Sequence, residues 1–181
     1  MIRVANIMNF DISDSDDGMT ISIWLQGCPH RCKGCHNPET WNDDGGYKLS
    51  DENFKSILYD SMKKLNDKTQ KVNISILGGE PLHEFNILGT IKLAKAFKEK
   101  FPNKTIWVWT GFLFENVINK DIFKYIDVLV DGRFEEEHKD IRLKYCGSTN
   151  QRVIDIQQSL KKNKVILYSA SYSNWFNFRN F

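Results

Sequence analysis

The sequence predicts an α/β fold built on a parallel sheet. Short apolar, β-branched runs alternate along the chain with segments whose apolar residues recur at helical spacing. This alternation is typical of parallel strands joined by right-handed helical crossovers. The chain of 181 residues has the usual length of one domain. We therefore predict a single domain over residues 1–181, ending in an aromatic C-terminal tail at 169–181.

The predicted elements follow one another in a regular order. Strands are expected at 20–26, 72–77, 105–109 and 126–130, with weaker candidates at 153–156 and 165–168. Helices are expected from Ser50 to about 65, at 87–101 and at 113–125. The Ser50 hydroxyl can cap the first helix, and the acidic residues after it suit a helix N-terminus. The acidic segment 11–18 is expected to form an exposed loop.

Composition excludes several classes of function. Lys and Arg number 25 against 23 Asp and Glu, and no run of basic residues resembles a phosphate-binding stripe, so we expect no nucleic-acid partner. No apolar stretch approaches the roughly 18 residues that a membrane span needs. Residues 1–17 lack the layout of a secretion signal. We therefore expect a cytoplasmic protein with reduced thiols.

Three of the four cysteines are clustered as Cys28, Cys32 and Cys35, a C-x3-C-x2-C spacing directly after the first predicted strand. Thiolates at such spacing bind iron–sulfur clusters or zinc. Three thiolates are one too few to close either a tetrahedral zinc site or a four-iron cluster. The residues alone leave two alternatives open: a structural zinc site completed by His30 or His36, and a metal centre with an open position.

A second motif, Gly78-Gly79-Glu80-Pro81, follows the strand at 72–77. Paired glycines allow backbone to approach a bound small molecule, although an ordinary strand-to-helix turn would also explain them. Thr110-Gly111 and Asp131-Gly132-Arg133 also follow predicted strands. Because active sites form at the carboxyl edge of parallel strands, we expect these motifs and the cysteines to converge there.

In combination, these motifs resemble the radical S-adenosylmethionine superfamily. The resemblance implies that Cys28, Cys32 and Cys35 hold three irons of a [4Fe-4S] cluster and that S-adenosylmethionine chelates the fourth. It places Gly78, Gly79 and Glu80 along the methionine moiety. The superfamily often has an aromatic residue where this chain has Gly34, so we expect the backbone of Gly34 and Cys35 beside the adenine, with His36 taking part of the aromatic role.

Longer segments narrow the resemblance to glycyl-radical-enzyme activases. Residues 35–41, 107–111, 127–133 and 147–155 are similar to segments of the activating proteins of anaerobic ribonucleoside-triphosphate reductase. This resemblance implies a partial (β/α) barrel of about five to six parallel strands with helices outside. Asp131 and Arg133 alone could form an ordinary solvated turn. Related activases contact S-adenosylmethionine through similar acidic and basic positions, so the resemblance implies that Asp131 accepts the ribose hydroxyls and Arg133 pairs with a carboxylate.

The resemblance also implies the reaction and its partners. An external one-electron donor such as flavodoxin reduces the cluster, which cleaves S-adenosylmethionine to methionine and a 5′-deoxyadenosyl radical. That radical takes a hydrogen atom from a glycine of anaerobic ribonucleoside-triphosphate reductase. Two alternatives remain, a radical enzyme that acts on a small molecule and a zinc-binding adaptor.

The remaining conspicuous residues receive structural interpretations. Cys146 is expected to be structural, and Asn150 and Gln151 are expected to order the last loop. The histidines His83 and His138 are expected at the surface, and the tryptophans Trp24, Trp107 and Trp109 in the core. The tail 169–181 either packs on the domain or docks the reductase, as its aromatic residues and Arg179 would suit an interface.

Overall fold

A computed structural model describes residues 2–11, 19–64, 72–117 and 119–169. Seven strands form one sheet: β1 (Ile2–Asp11), β2 (Met19–Leu25), β3 (Tyr47–Leu49), β4 (Val72–Gly78), β5 (Ile106–Trp109), β6 (Val128–Asp131) and β7 (Arg152–Asp155). The α-helices are α1 (Asp51–Lys64), α2 (Ile87–Lys100) and α3 (Ile156–Lys162). Within the described residues, four 3-10 helices lie at Pro38–Thr40, Phe114–Asn116, Lys120–Lys124 and Glu136–His138.

The strands are ordered β3-β1-β2-β4-β5-β6-β7 across the sheet. Neighbours from β2 through β4 and β5 to β6 are parallel, whereas β1, β3 and β7 pair antiparallel at the two sides. The prediction of an α/β fold with a parallel central sheet is confirmed. The predicted number of five to six parallel strands is too high for the described residues, which contain four.

The two faces of the sheet differ in chemistry. Alternate residues of the central strands, such as Ile23, Ile76 and Val108, are fully buried in the core that includes apolar residues of α1 and α2. The opposite face carries Ser22 and Ser75, a register pair, and then Trp107 beside Ser75 on β5. The opposite face is polar at the two serines but continues into a second apolar cluster of Trp107, Val128 and Val130. The register is fixed because a shift by one residue would exchange the two faces.

Sequence reasoning missed β1 and β3. The pairing of β1 with β2 shifts register between Val4 and Asn6 and again between Asn9 and Asp11, so no clean alternation runs along the strand. Asp11, predicted to be in an exposed loop, is the last residue of β1 and is buried, with its Oδ2 accepting a hydrogen bond from Ser22 Oγ (2.8 Å). Residues 12–18 of that predicted loop lie outside the described residues.

The predicted helix at 113–125 is wrong in its described part. Its place is taken by the two short 3-10 helices Phe114–Asn116 and Lys120–Lys124. Val117 has extended backbone, which ends the first, and the Asn119 side chain accepts from the Asp121 N–H and starts the second. The predicted strand at 165–168 is reduced to a single bridge between Leu167 and Ile154.

Two further expectations concern membrane-spanning helices and the aromatic tail. No helix within the described ranges has the length and apolar character needed to cross a bilayer. The aromatic tail lies outside the described residues from position 170 onward.

Candidate metal and cofactor site

A cleft of about 360 Å³ opens where β4, β5 and β6 end and meets the cysteine loop, residues 28–35. This volume is in the range of small-molecule sites. Several predicted site residues line it together: Cys28, Cys32, Cys35, His36, Gly78, Gly79 and Glu80. Thr110, Gly111 and Gly132 complete the rim, so all four motifs converge at the carboxyl edge as predicted.

Backbone hydrogen bonds hold the cysteine loop at the end of β2. Gly27 N–H donates to Thr40 O (2.8 Å) and Cys28 N–H donates to Trp41 O (3.1 Å), which closes the loop on the segment that follows it. Within the loop, Cys35 N–H donates to Cys32 O (3.1 Å). The cysteines are therefore held on a short, closed turn rather than on a free segment.

Burial and backbone hydrogen bonds act on the thiols in opposite directions. All three are free and partly buried, and burial raises the pKa of Cys28 to about 11. Backbone N–H groups of His30 and Arg31 oppose that shift in pKa because they favour the thiolate. Asn37 N–H donates to Cys35 Sγ at 3.4 Å. Hydrogen bonds to sulfur of this kind tune the potentials of iron–sulfur clusters. The donor set thus fits a cluster held by three thiolates.

A compact zinc site finds less support. One tetrahedral zinc ion needs its ligand atoms about 2.0–2.3 Å from a common centre. In the described ranges no three His, Cys, Asp or Glu side chains are grouped to hold one metal ion, and this applies to the three cysteines as well. Moreover, His30, one of the two candidate fourth ligands, directs its Nε2 at Glu80 Oε2 (2.8 Å). His36 is exposed, with its ring centroid 5.4 Å from that of Phe134.

Gly78 and Gly79 are needed for a reason that differs from the prediction. A Cβ on Gly78 would lie 2.8 Å from Trp24 Cα, and one on Gly79 would lie 2.6 Å from Gly27 O. Both contacts are with the backbone of β2 or the residues just after it. The glycines therefore allow β4 to end against the base of the cysteine loop, and the backbone they expose lines the cleft as a consequence.

Glu80 lies at the centre of the site, with 1% of its surface exposed. Its Oε1 accepts hydrogen bonds from Thr110 Oγ1 (2.6 Å) and Leu82 N–H (2.9 Å). Its Oε2 accepts from Gly111 N–H (2.7 Å) and His30 Nε2 (2.8 Å). Protein donors thus surround the carboxylate that was predicted to lie along the methionine moiety.

Asp131, Arg133 and Gly34 do not line the cleft. Asp131 is fully buried, and its carboxylate accepts hydrogen bonds from Arg152 Nε (2.9 Å) and Phe114 N–H (2.8 Å). Arg133 is exposed and donates to His30 O (2.6 Å). Gly34 is exposed beside Glu136, whose Oε1 a Cβ would approach to 2.8 Å.

Sequence reasoning missed the partner of Asp131. The Arg152 guanidinium lies between Asp131 and Glu115 and donates hydrogen bonds to both carboxylates. The hydrogen bonds to Asp131 and Glu115 raise the pKa of Arg152, and the bond from Arg152 lowers that of Glu115. The three residues join the end of β6, the segment after β5 and the start of β7, and nothing in their spacing signals this.

Asn86 was also missed. It is buried at the start of α2, where a sequence pattern would suggest a helix cap, but it makes no side-chain capping bond. Its Nδ2 instead donates to Gln26 O (3.0 Å) and Glu80 O (3.1 Å). This amide therefore ties the end of β2 to the Gly-Gly-Glu-Pro turn.

Part of the cleft lining is aromatic. Trp109, predicted to be core, is only half-buried and lines the cleft with Phe134, Tyr145 and Cys146. Trp107, in contrast, is core as predicted, with 1% of its surface exposed. The two tryptophans lie on the same face of β5, with ring centroids 5.8 Å apart, so alternation along the strand could not have separated them.

The loop before β7 is ordered as predicted. Gln151 Oε1 accepts from Gly147 N–H (2.8 Å), and its Nε2 donates to Gly132 O (2.8 Å). Asn150 Nδ2 donates to Arg133 O (2.8 Å). The expectation for the histidines holds for His138, which is exposed, but His83 is half-buried with its ring 4.2 Å from that of Phe85.

Known proteins match most of the chain. The family described as "4Fe-4S single cluster domain" matches residues 16–154. This chain is 35% identical to a protein from Vibrio cholerae and 36% identical to one from Escherichia coli K12, both named anaerobic ribonucleoside-triphosphate reductase-activating protein. These alignments cover 74% and 75% of this chain and 86% and 88% of the relatives. The protein of that name from Enterobacteria phage T4 is 32% identical over 75% of this chain and 83% of its own length.

Proposed function

This chain belongs to the family of anaerobic ribonucleoside-triphosphate reductase-activating proteins, and we propose that it activates such a reductase by installing a glycyl radical. The observation that carries the proposal is that three free thiols and an exposed glycine backbone share one cleft. A structural metal site has no use for an adjoining cavity, whereas a metal centre that takes a ligand needs one.

The proposed roles of the residues follow from this arrangement. Cys28, Cys32 and Cys35 hold the cluster, and because they are three, one of its irons is left for S-adenosylmethionine. When bound, the cluster and S-adenosylmethionine supply a one-electron reductive cleavage and a 5′-deoxyadenosyl radical that takes hydrogen from the partner's glycine. The backbone of Gly78 and Gly79 offers polar groups to the methionine end of that ligand.

The chain's own contribution is orientation and shielding. Trp109 and Tyr145 line the same cleft as the thiols, where their rings would keep water away from a reactive species. The Trp109 indole N–H donates to Tyr145 O (2.8 Å), so these two residues are fixed relative to each other. The proposal includes a partial barrel, with the face that carries Ser22, Ser75 and Trp107 inside, and an external one-electron donor such as flavodoxin.

Anaerobic reconstitution with iron and sulfide tests the cofactor assignment. The wild type should bind about four irons, and with a reductant and S-adenosylmethionine it should release methionine and 5′-deoxyadenosine in equal amounts. Cys32→Ala should lose the iron. Cys146→Ala is the matched control, since this thiol lies in the same cleft but is not a proposed ligand, and it should keep the iron.

Three results would contradict the proposal. A colourless wild-type protein that binds one zinc ion would remove the cluster. Equal loss of iron in Cys32→Ala and Cys146→Ala would show that the cleft has four thiolate ligands and no open position. Release of 5′-deoxyadenosine without formation of a glycyl radical on a reductase, together with turnover of a small molecule, would indicate a small-molecule radical enzyme instead.

A further inference from the structure

His30 lies between two of the predicted ligands and is the most firmly anchored side chain of the cysteine loop. Only 12% of its side-chain surface is exposed, and its Nε2 donates to Glu80 Oε2 (2.8 Å). Its ring packs edge-on against Phe112, with centroids 4.7 Å apart. Its backbone carbonyl accepts a hydrogen bond from Arg133 (2.6 Å). The loop is thereby attached at one residue to segments that follow β4, β5 and β6.

The carboxylate that receives His30 cannot easily move. The other donors to Glu80 are Thr110 Oγ1, Gly111 N–H and Leu82 N–H, all at 2.6–2.9 Å. A buried carboxylate that accepts several hydrogen bonds is held in one geometry, because each lost bond leaves charge uncompensated. Glu80 is therefore a rigid reference point for the cysteine loop.

The His30 ring packs directly against the backbone of Gly111. A Cβ on Gly111 would lie 2.5 Å from His30 Cδ2, so any larger residue there would displace the imidazole. The residue after His30 is held in an unfavourable conformation, since Arg31 has a φ of +45°. Such a conformation persists only where the surroundings impose it. Of the residues flanking Arg31, His30 has the contacts that can do so.

We propose that His30 is a positioning residue for the iron–sulfur centre, acting through Glu80 to fix Cys28 and Cys32 relative to the glycine backbone of the cleft. The inference rests on the proposed function and deepens it. His30 makes no contact with the cluster or the ligand in this role. It sets the distance between the residues that hold the cluster and those that hold S-adenosylmethionine, and a misplacement of about 1 Å can cost about a hundredfold in rate.

Two substitutions at His30 separate its hydrogen bond from its ring. His30→Phe keeps an aromatic ring against Phe112 but leaves Glu80 without this donor, and His30→Gln restores a donor without the ring. His138→Phe is the matched control, because His138 also pairs with a glutamate but is exposed on another loop. Each protein is reconstituted anaerobically, and the electron paramagnetic resonance spectrum of the reduced cluster is titrated with S-adenosylmethionine.

We expect His30→Phe to need at least tenfold more S-adenosylmethionine for half of the spectral change and to lose iron to a chelator at least tenfold faster. His30→Gln should return both values to within about threefold of wild type, and His138→Phe should not change them. A purely structural role would lower the melting temperature of His30→Phe without shifting the titration of the folded protein. That result, or a wild-type titration and iron retention in His30→Phe, would overturn the inference.

Gly111→Ala provides a second route if His30→Phe does not fold. It retains the histidine but pushes its ring, and should shift the S-adenosylmethionine titration in the same direction. A wild-type titration in folded Gly111→Ala would also overturn the inference. If the wild type itself shows no response to S-adenosylmethionine, the proposed function fails; if the wild type responds and the variants respond equally, only the role of His30 fails.

Discussion

Three glycines around the cleft allow the cost of backbone conformation to be separated from the cost of crowding. Gly132 has a φ of +97°, but an added Cβ would meet nothing closer than 3.6 Å. Gly79 lies outside the left-handed region, but its Cβ would lie 2.6 Å from Gly27 O. Gly78 combines a φ of +92° with a contact of 2.8 Å to Trp24 Cα.

Alanine at each position should therefore destabilise by a different amount. Left-handed backbone costs an L-residue about 1–2 kcal/mol, which is the expectation for Gly132→Ala. Overpacking costs about 1–3 kcal/mol, which is the expectation for Gly79→Ala because backbone cannot rotate away as a side chain can. Gly78→Ala should incur both costs, about 2–5 kcal/mol in all.

Thermal and urea unfolding of the three apo variants measures these differences. For a chain of this length each kcal/mol shifts the melting temperature by about 2–4 °C. Gly78→Ala should therefore melt below Gly132→Ala by at least about 2 °C. If Gly78→Ala were as stable as Gly132→Ala, the end of β4 would not press on β2, and the structural reason given for the Gly-Gly pair would be wrong.

Further substitutions probe the scaffold around the cleft. Asn86→Ala removes a donor from buried carbonyl groups and should lower the free energy of unfolding by about 1–3 kcal/mol in urea. Arg152→Met leaves Asp131 buried without its cation and should cost about 3–5 kcal/mol, part of which Asp131→Asn should recover in the double variant. Arg152 holds the pKa of Glu115 below its ordinary value of 4.5, so Glu115 stabilises above that pH and loses its effect as the pH falls. The difference in stability between wild type and Glu115→Gln should accordingly be largest near neutral pH and shrink in acid.

The central strands were predictable because they are buried and rich in apolar and β-branched residues. β5 and β6 are nearly continuous apolar runs, whereas β2 and β4 alternate isoleucine with small polar residues, and both patterns place the parallel part of the sheet correctly. β1 was not predictable in the same way. Its register shifts twice against β2, so its residues do not alternate regularly. The helix predicted after β5 was wrong because extended backbone at Val117 interrupts the segment that periodicity indicated as one helix.

The chemistry of the site was more predictable than its hydrogen bonding. The cysteines and the Gly-Gly pair could be placed at one edge of the sheet from the sequence, because each directly follows a predicted parallel strand. The partners of the acidic residues were not accessible to such reasoning. Glu80 accepts from His30, fifty residues earlier, and Asp131 accepts from Arg152, twenty-one residues later. Such pairs depend on which loops meet in space, and periodicity carries no information about that.

The activase role is tested most directly by electron paramagnetic resonance of a mixture. The reconstituted protein is combined anaerobically with a reductant, S-adenosylmethionine and an anaerobic ribonucleoside-triphosphate reductase. We predict a carbon-centred radical on the reductase, visible as a doublet, that is absent with Cys32→Ala. Formation of 5′-deoxyadenosine by the wild type without any radical on the reductase would contradict the proposed activity.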